Sequence, residues 1–237
     1  MQMKSFAEYY KDLLEWENST EYEKVFEEAD KWRILDEQEM NWAYGDDLNT
    51  DYYAIRIDKL PEGVSSTQLF DSIRKNFAQF MYDGIELTPN MDFTSSKLWK
   101  SSDPTGSIMV FHTKIDDAAV LTTQSSSTSW IFTPVGTAFS WEHPLAGHRQ
   151  FGMTSNADGT LTFFTRGVDM LWDVEDQIAK DVMSIWDGDF FSVADALWKN
   201  VMYNVMNYVD SQGGNAYMTH SFTRRIDWNV INSKDKN

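Results

Sequence analysis

The sequence predicts an α+β protein in which an antiparallel sheet is followed by one long helix near the C-terminus. Between positions 107 and 169, short strand-like runs are separated by turn signals at short intervals, which is typical of antiparallel neighbours. An apolar stripe with helical spacing then extends over residues 192–210. The chain of 237 residues, 42% of them hydrophobic, is long enough to bury a core of its own.

The N-terminal part of the chain is acidic and has a helical pattern. Residues 1–51 contain 15 Asp or Glu and 5 Lys or Arg, a net charge of −10. Six apolar side chains recur there with helical spacing: Phe6, Tyr9, Tyr10, Leu13, Leu14 and Trp16. Ser19 or Thr20 can cap a second amphipathic helix that continues to Lys31. Because both helices are amphipathic, we expect them to pack on a larger body.

A polar loop at residues 44–50 marks the predicted domain boundary. It separates an acidic helical extension, residues 1–50, from a main domain, residues 51–237. The main domain is predicted to open with a strand, a helix and a loop, over the ranges 52–57, 65–82 and 83–106.

The central sheet and the last helix follow. Six strands are predicted, over the ranges 107–115, 118–123, 130–133, 139–141, 148–154 and 160–166. Asn156–Gly159 is a hairpin signal between the last two strands. Ser192 and Asp195 resemble a capping box at the start of the long helix, and Gly213 and Gly214 end it.

Composition excludes several functional classes. The net charge of −17 disfavours binding to nucleic acids and to anionic lipid surfaces. The chain has no Cys, so it forms no disulfide and has no thiol chemistry. We find no signal-peptide core and no apolar stretch long enough to span a membrane. The expected localisation is cytoplasmic, although a toxin or effector exported without such a signal would look the same.

Two short motifs in the sheet resemble a known family. Glu142–Gly152, with the sequence EHPLAGHRQFG, and Asp158–Phe163, with the sequence DGTLTF, are similar to a strand pair of a DUF1990-like branch of the START-like superfamily. That superfamily, also called SRPBCC, includes the polyketide cyclase-like proteins. Ala196–Lys199 resembles the start of the last helix of this branch. The resemblance covers residues 107–209 and departs at Glu142, where the branch often has Gly.

The resemblance implies a helix-grip fold, in which a curved antiparallel sheet wraps a long C-terminal helix. Proteins of this superfamily commonly bind apolar or amphipathic small molecules in a cavity between the sheet and that helix. A minority catalyse cyclisation, dehydration or hydrolysis. No catalytic residue is shared widely enough to be transferred to this chain.

Aromatic and Met side chains are the candidate ligand contacts. Those on the elements expected to face each other are Trp130, Phe139, Trp141, Phe163, Trp198 and Met202. The alternative is that they simply fill a core. Arg166, at the end of the last strand, could hold a carboxylate or phosphate head group, or could instead pair with Asp169 or Asp173.

Polar candidates for catalysis are few. Glu142, His148 and Arg166 are weak candidates if they face a cavity. Arg149 could serve as an anion clamp, but it and Gln150 must point to opposite faces of the strand. His143 is expected to support a turn. Because no metal-ligand spacing, nucleophile elbow or phosphate-binding loop is present, we expect no metal and no cofactor.

Three functions remain open at this point. The first is binding of an apolar small molecule with a polar head between the sheet and the long helix. The second is an acidic interaction protein, of the immunity or adaptor kind, whose residues 1–51 and 169–189 attract a basic protein. The third is a cyclase or hydrolase that uses Glu142, His148 or Arg166.

Overall fold

A computed structural model of the chain describes residues 8–29, 33–81, 85–89, 93–112, 117–138, 140, 142–172 and 190–232. Three groups of predictions lie outside these residues. They are the ligand contacts Phe139 and Trp141, the end of the second helix at Lys31, and most of the acidic stretch 169–189.

The N-terminal residues form short helices and one short strand. They are α1 (Lys11–Leu14), α2 (Thr20–Glu28), β1 (Ile34–Glu37) and 3₁₀ turns at Trp16–Asn18 and Met40–Trp42. Ser19 caps α2, because its side chain accepts a hydrogen bond from the backbone N–H of Tyr22 at 3.1 Å.

The main domain opens with β2 (Asp47–Lys59) and α3 (Ser66–Lys75), which continues into a 3₁₀ turn at Phe77–Phe80. Ser65 and Gln68 form a reciprocal capping box at the start of α3. The predicted loop at 83–106 is wrong, since it contains β3 (Glu86–Pro89) and α4 (Phe93–Lys100). Both elements are too short to show a period, and tertiary contacts hold them: β3 pairs with β4, and Trp99 of α4 is buried.

The remaining strands form consecutive antiparallel neighbours. They are β4 (Ile108–His112), β5 (Asp117–Ser125), β6 (Ser129–Thr137), β7 (Leu145–Ser155) and β8 (Leu161–Leu171). The β7–β8 turn is the predicted hairpin, and Gly159 adopts the positive φ of 84° that its closure requires.

The C-terminal part contains α5 (Phe190–Ser211), β9 (Asn215–Met218), β10 (Phe222–Asp227) and α6 (Trp228–Asn232). The predicted capping box at Ser192 is wrong, because the helix already begins at Phe190. Gly213 ends it with a φ of 84°, as predicted.

The strands form one antiparallel sheet in the order β10-β2-β8-β7-β6-β5-β4-β3, with β1 added beside β6 and β9 beside β2. The predicted loop at 44–50 is therefore partly wrong. Residues 47–52 pair with β10 on one side, and residues 49–57 pair with β8 on the other, so this stretch is held in a strand. The curved sheet packs against the long helix α5, which confirms the helix-grip fold.

Each face of the sheet has its own apolar core. We call the face that packs against α3 and α5 the inner face, and the opposite one the outer face. The inner core includes Tyr53, Phe77, Trp130, Phe151, Phe163, Trp198 and Met202. The outer core joins the sheet to the N-terminal helices through Tyr10, Leu13, Trp16, Tyr22, Phe26 and Val168. The N-terminal segment thus covers a sheet face that would otherwise expose apolar side chains.

Candidate functional site

Three charged side chains meet on the inner face, beneath the first half of α5. Asp51 lies on β2, Arg149 on β7 and Asp169 on β8, and the strand register aligns them because Gly167 of β8 is opposite both Asp51 and Arg149. At 0%, 6% and 5% exposure respectively, all three are buried. We refer to these three residues as the ionic cluster.

The guanidinium group of Arg149 is held by both carboxylates. Its Nη1 and Nη2 donate to the two oxygens of Asp51 at 2.8 and 2.6 Å, and Nη2 also donates to Oδ2 of Asp169 at 2.9 Å. This two-pronged geometry gives the strongest type of protein hydrogen bond. The ring of Trp198, on α5, lies 4.3 Å from the guanidinium carbon and completes a cation–π contact.

Glycine at position 167 makes this arrangement possible. A Cβ atom added to Gly167 would overlap the guanidinium group of Arg149 and approach the carboxylate of Asp169. The guanidinium therefore lies directly against the backbone of β8, with the ring of Trp198 on its other side.

A second set of polar side chains links the cluster to α5 and β10. The hydroxyl of Tyr53 donates to Asp195 at 2.6 Å, and Arg225 donates to the other oxygen of Asp195 at 3.2 Å. Arg225 also donates to Asn49, whose amide nitrogen lies 3.4 Å from Asp51 and from Asp169. Four strands (β2, β7, β8 and β10) and the helix α5 are thus connected through one polar network.

Burial shifts the ionisation of the cluster. Loss of water around Asp169 raises its pKa from 3.8 to about 6, with Arg149 opposing the shift and Asp51 adding to it. Burial alone would lower the pKa of Arg149, but the two carboxylates raise it above its ordinary value. Burial, Asp51 and the bond to Asp195 raise the pKa of Tyr53.

Two polar atoms on the inner face have no hydrogen-bond partner among the described residues. Oδ2 of Asp169 receives Arg149 and Asn49, whereas no described residue donates to its Oδ1. The indole N–H of Trp130 is fully buried and has no hydrogen-bond partner among the described residues. Unpaired buried donors are uncommon, and they are often matched by water or a ligand.

The predicted aromatic contacts lie together on the inner face. Trp130, Phe163, Trp198 and Met202 all belong to the inner core. Phe151 joins them: its ring stacks on Trp130 at 4.8 Å and meets Trp198 edge-on at 5.6 Å. Trp130, Phe163 and Met202 are fully buried, and Trp198 is almost so.

A separate cleft lies at the other end of α5. It has a volume of about 340 Å³ and opens between the loop after β2, the start of α3 and the end of α5. Its lining includes Val64, Leu69 and Tyr208, together with Gln68 and Gln212. Leu69 also belongs to the inner core, so the cleft borders that core directly.

Arg166 does not face α5. It lies on the outer face, where it donates to Gln150 at 2.7 Å, to the backbone oxygen of Tyr9 and to Asp12. The alternation of β7 explains this: Gln150 points outward with Arg166, and Arg149 points inward. The guanidinium of Arg166 thus anchors the N-terminal extension.

The other polar candidates also lie away from the ionic cluster. Glu142 is exposed and accepts the indole N–H of Trp172 at 3.0 Å. His148 is buried on the outer face, 2.9 Å from Thr133 and 3.4 Å from Glu17 of the N-terminal extension. These side chains do not converge with Arg149 on the inner face.

His143 supports its turn, as predicted. Its Nδ1 accepts the backbone N–H of Leu145 at 3.0 Å, and the Gln38 side chain bonds both its N–H and its C=O. Burial lowers the pKa of this imidazole to about 4, so it is neutral at pH 7 and available as an acceptor.

Sequence reasoning missed most of the polar network. Asn49, Asp51 and Tyr53 alternate along β2, a pattern that places two polar side chains beside an aromatic one on a single face. That alternation was an available signal, but it was obscured because residues 44–50 were assigned to a loop. The contributions of Asp195 and Arg225 depend on how α5 and β10 return to β2, which no local pattern shows.

Within the described residues, no group of three or more His, Cys, Asp or Glu side chains could hold a metal ion. Likewise, no described helix is both long and apolar enough to cross a membrane.

Comparisons with known proteins inform the fold only. No protein-family model matches the chain, and no curated protein matches it significantly. Among solved structures, 102 chains match. One is the crystal structure of Ara h 8.0201, which is 10% identical with a TM-score of 0.39, over 68% of this chain and 99% of its own. The resemblance to the DUF1990-like branch stays a prediction.

Proposed function

We propose that the protein binds an amphipathic small molecule between the sheet and α5. Its polar head would contact the ionic cluster, and its apolar part would lie along Trp198, Met202 and the neighbouring rings. The observation that carries this proposal is the burial of Arg149 with two carboxylates beside the apolar core of the inner face.

The energetics of buried charge support a functional reading of the cluster. Taking ions out of water costs several kcal/mol each, and apolar replacements of buried ion pairs are often neutral or stabilising by about 1–4 kcal/mol. The rest of the inner face shows that this fold packs well with apolar residues. Buried charges that lower stability and have shifted pKa values are typical of binding or reactive sites. The ionic cluster, with its raised pKa at Asp169, fits this description.

The charge of the site favours a cationic head group. The described network holds two guanidinium groups, Arg149 and Arg225, against three carboxylates, Asp51, Asp169 and Asp195. Lys199 is exposed and lies 5.8 Å from the ring of Tyr53, at the periphery. With Asp169 ionised, the network has one negative charge in excess and an open carboxylate oxygen. An ammonium head supplies both the charge and the donor that are missing.

The apolar part of the ligand would displace side chains rather than enter an open space. Met202 is buried beside Trp198, and unbranched Met side chains repack at low cost. Trp130 would supply its open indole N–H to an acceptor on the ligand. The cleft beside Leu69 is the opening through which we expect the apolar part to reach the inner core.

Calorimetric titration with decylammonium and decanesulfonate, whose alkyl chains are equally long, tests this proposal. We expect decylammonium to bind more tightly, and its affinity to rise about tenfold between pH 5 and pH 7.5, as Asp169 ionises. Asp169→Asn should remove this pH dependence. Asp158→Asn, at the exposed β7–β8 turn, removes the same charge and should keep it.

Two outcomes would refute the proposal. Equal affinity for both amphiphiles would show that the cluster does not select the head group. A pH dependence that persists in Asp169→Asn would place the titrating group elsewhere.

A further inference from the structure

We propose a second binding surface, for a basic protein, on the segment Ile34–Asp47. This segment crosses one end of the sheet. Its β1 strand pairs with β6, and Tyr44 and Gly45 donate their backbone N–H groups to Trp172 and Leu171 at the end of β8. We call it the acidic edge. It lies outside the proposed ligand site on the inner face. It is a small part of the acidic surface, residues 1–51 and 169–189, that the sequence predicts for a basic partner.

The acidic edge exposes large apolar side chains. Leu35 is 68% exposed, Trp42 73% and Tyr44 74%. The indole of Trp42 lies beside Glu39, where it opposes the rise in the pKa of that carboxyl. Exposed Trp and Tyr side chains on a fixed backbone are the residues that most often dominate binding at protein interfaces.

The same segment carries negative charge with no compensating cation. Its sequence has five acidic residues and no Lys or Arg: Asp36, Glu37, Glu39, Asp46 and Asp47. None of the five forms an ion pair with a described residue. In addition, Asp47 lies directly opposite Asp227 on β10, a like-charge pair that disfavours the isolated protein.

The carboxylates of this edge also oppose one another's ionisation. Burial raises the pKa of Glu37, and Glu39 and Asp36 raise it further. Burial and Glu17 likewise raise the pKa of Glu39. Beside them, the hydroxyl of Tyr22 is buried, has no hydrogen-bond partner among the described residues and faces Glu17, Glu37 and Glu39 electrostatically. A cation bound here would relieve repulsion that no described residue relieves.

Arginine is the partner residue that fits this surface best. A guanidinium group can bond a carboxylate with two donors while it stacks on an aromatic ring, and the edge offers both beside each other at Glu39 and Trp42. Nucleic acids and anionic membranes carry the wrong charge. A second copy of this chain, with its own net charge of −17, would be repelled as well.

Fluorescence anisotropy with labelled nona-arginine and nona-lysine peptides tests the surface. The aromatic variant combines Trp42→Ala with Tyr44→Ala. The control combines Glu21→Gln with Glu23→Gln, which removes two negative charges from the exposed side of α2. We expect nona-arginine to bind more tightly than nona-lysine. The aromatic variant should lose about tenfold in affinity and the control less than about twofold. Because both aromatic side chains are exposed, thermal unfolding of the variant should match the wild type.

The contrary outcomes are equally distinct. Equal losses in the aromatic variant and the control would mean diffuse attraction to net charge and would overturn the proposal. An unchanged affinity in the aromatic variant would do the same. Sedimentation that shows a wild-type dimer, abolished by the aromatic variant, would assign the surface to a second copy of the chain instead.

Discussion

Replacing Asp169 by Asn isolates the energetic cost of burying this carboxylate. The side chain titrates at 3.8 when unfolded and at about 6 in the folded protein. Because the folded state holds the proton more tightly, Asp169 destabilises the fold progressively as the pH rises through this interval. Above this interval, where Asp169 is ionised in both states, the full loss of stability corresponds to about 3 kcal/mol. Asn keeps the shape of the side chain and removes the titration.

The difference in unfolding free energy between Asp169→Asn and wild type should therefore change with pH. Between about pH 4.5 and about pH 8, this difference should change in favour of the variant by about 2 kcal/mol. The change is smaller than the full cost because part of the interval between the two pKa values lies below about pH 4.5. Urea denaturation followed by tryptophan fluorescence at several pH values measures it. The comparison cancels the titration of the other carboxylates.

Asp158→Asn serves as the control for this experiment. The Thr160 hydroxyl and Arg56 lower the pKa of Asp158, so its stabilising contribution is complete above the unfolded pKa and is lost only at lower pH. Its difference from wild type should be flat over the same range. A flat difference for Asp169→Asn as well would refute the conclusion that burial perturbs this carboxylate.

Four further substitutions, and one control, have distinct expected effects on the free energy of unfolding, each measurable by urea denaturation. Arg149→Met should cost about 3–5 kcal/mol, because it leaves two buried carboxylates unpaired; a loss below about 1 kcal/mol would contradict this. Gly167→Ala should cost about 1–3 kcal/mol, because the new methyl group displaces the guanidinium. Ser65→Ala should cost about 1 kcal/mol through loss of the α3 cap, whereas Ser66→Ala should cost little. Thr133→Val should cost about 1–3 kcal/mol, because it leaves Nδ1 of the buried His148 without its hydrogen-bond partner.

The overall architecture could be predicted because its signals are local. The alternation in β5 to β8, the Asn156–Gly159 turn and the apolar stripe of α5 each lie within a few consecutive residues. The antiparallel pairing of the consecutive strands β4 to β8 followed from the short connections between them. Several short elements were missed, among them β1, β3, α4 and β10. They have too few residues to show a period, and β3 and α4 depend on contacts with β4 and the inner core.

The candidate site was less accessible to sequence reasoning. The inward direction of the aromatic side chains follows from alternation, and Trp130, Phe163, Trp198 and Met202 do share the inner face. Whether a polar side chain faces inward depends on register, and a single position separates Arg149 from Gln150. The partners of Arg149 come from β2 and β8, which are far apart in sequence, so only the assembled sheet brings them together.

The N-terminal extension shows the same limit. Its amphipathic pattern predicted that it would pack on a body, but not on which surface. The extension is held on the outer face by side chains such as Arg166 and His148, which were predicted as candidate site residues. In the structure they contact the extension: Arg166 donates to Asp12, and His148 lies beside Glu17.

NMR of the indole N–H groups tests most directly whether a ligand binds between the sheet and α5. The chain has ten Trp, and substitution by Phe assigns each signal. On titration with decylammonium, the signals of Trp198, which stacks on Arg149, and of Trp130 should shift together and saturate, whereas Trp16, which is buried on the outer face, should not move. Shifts confined to Trp42 and other surface indoles, with Trp130 and Trp198 unchanged, would contradict the proposed ligand site.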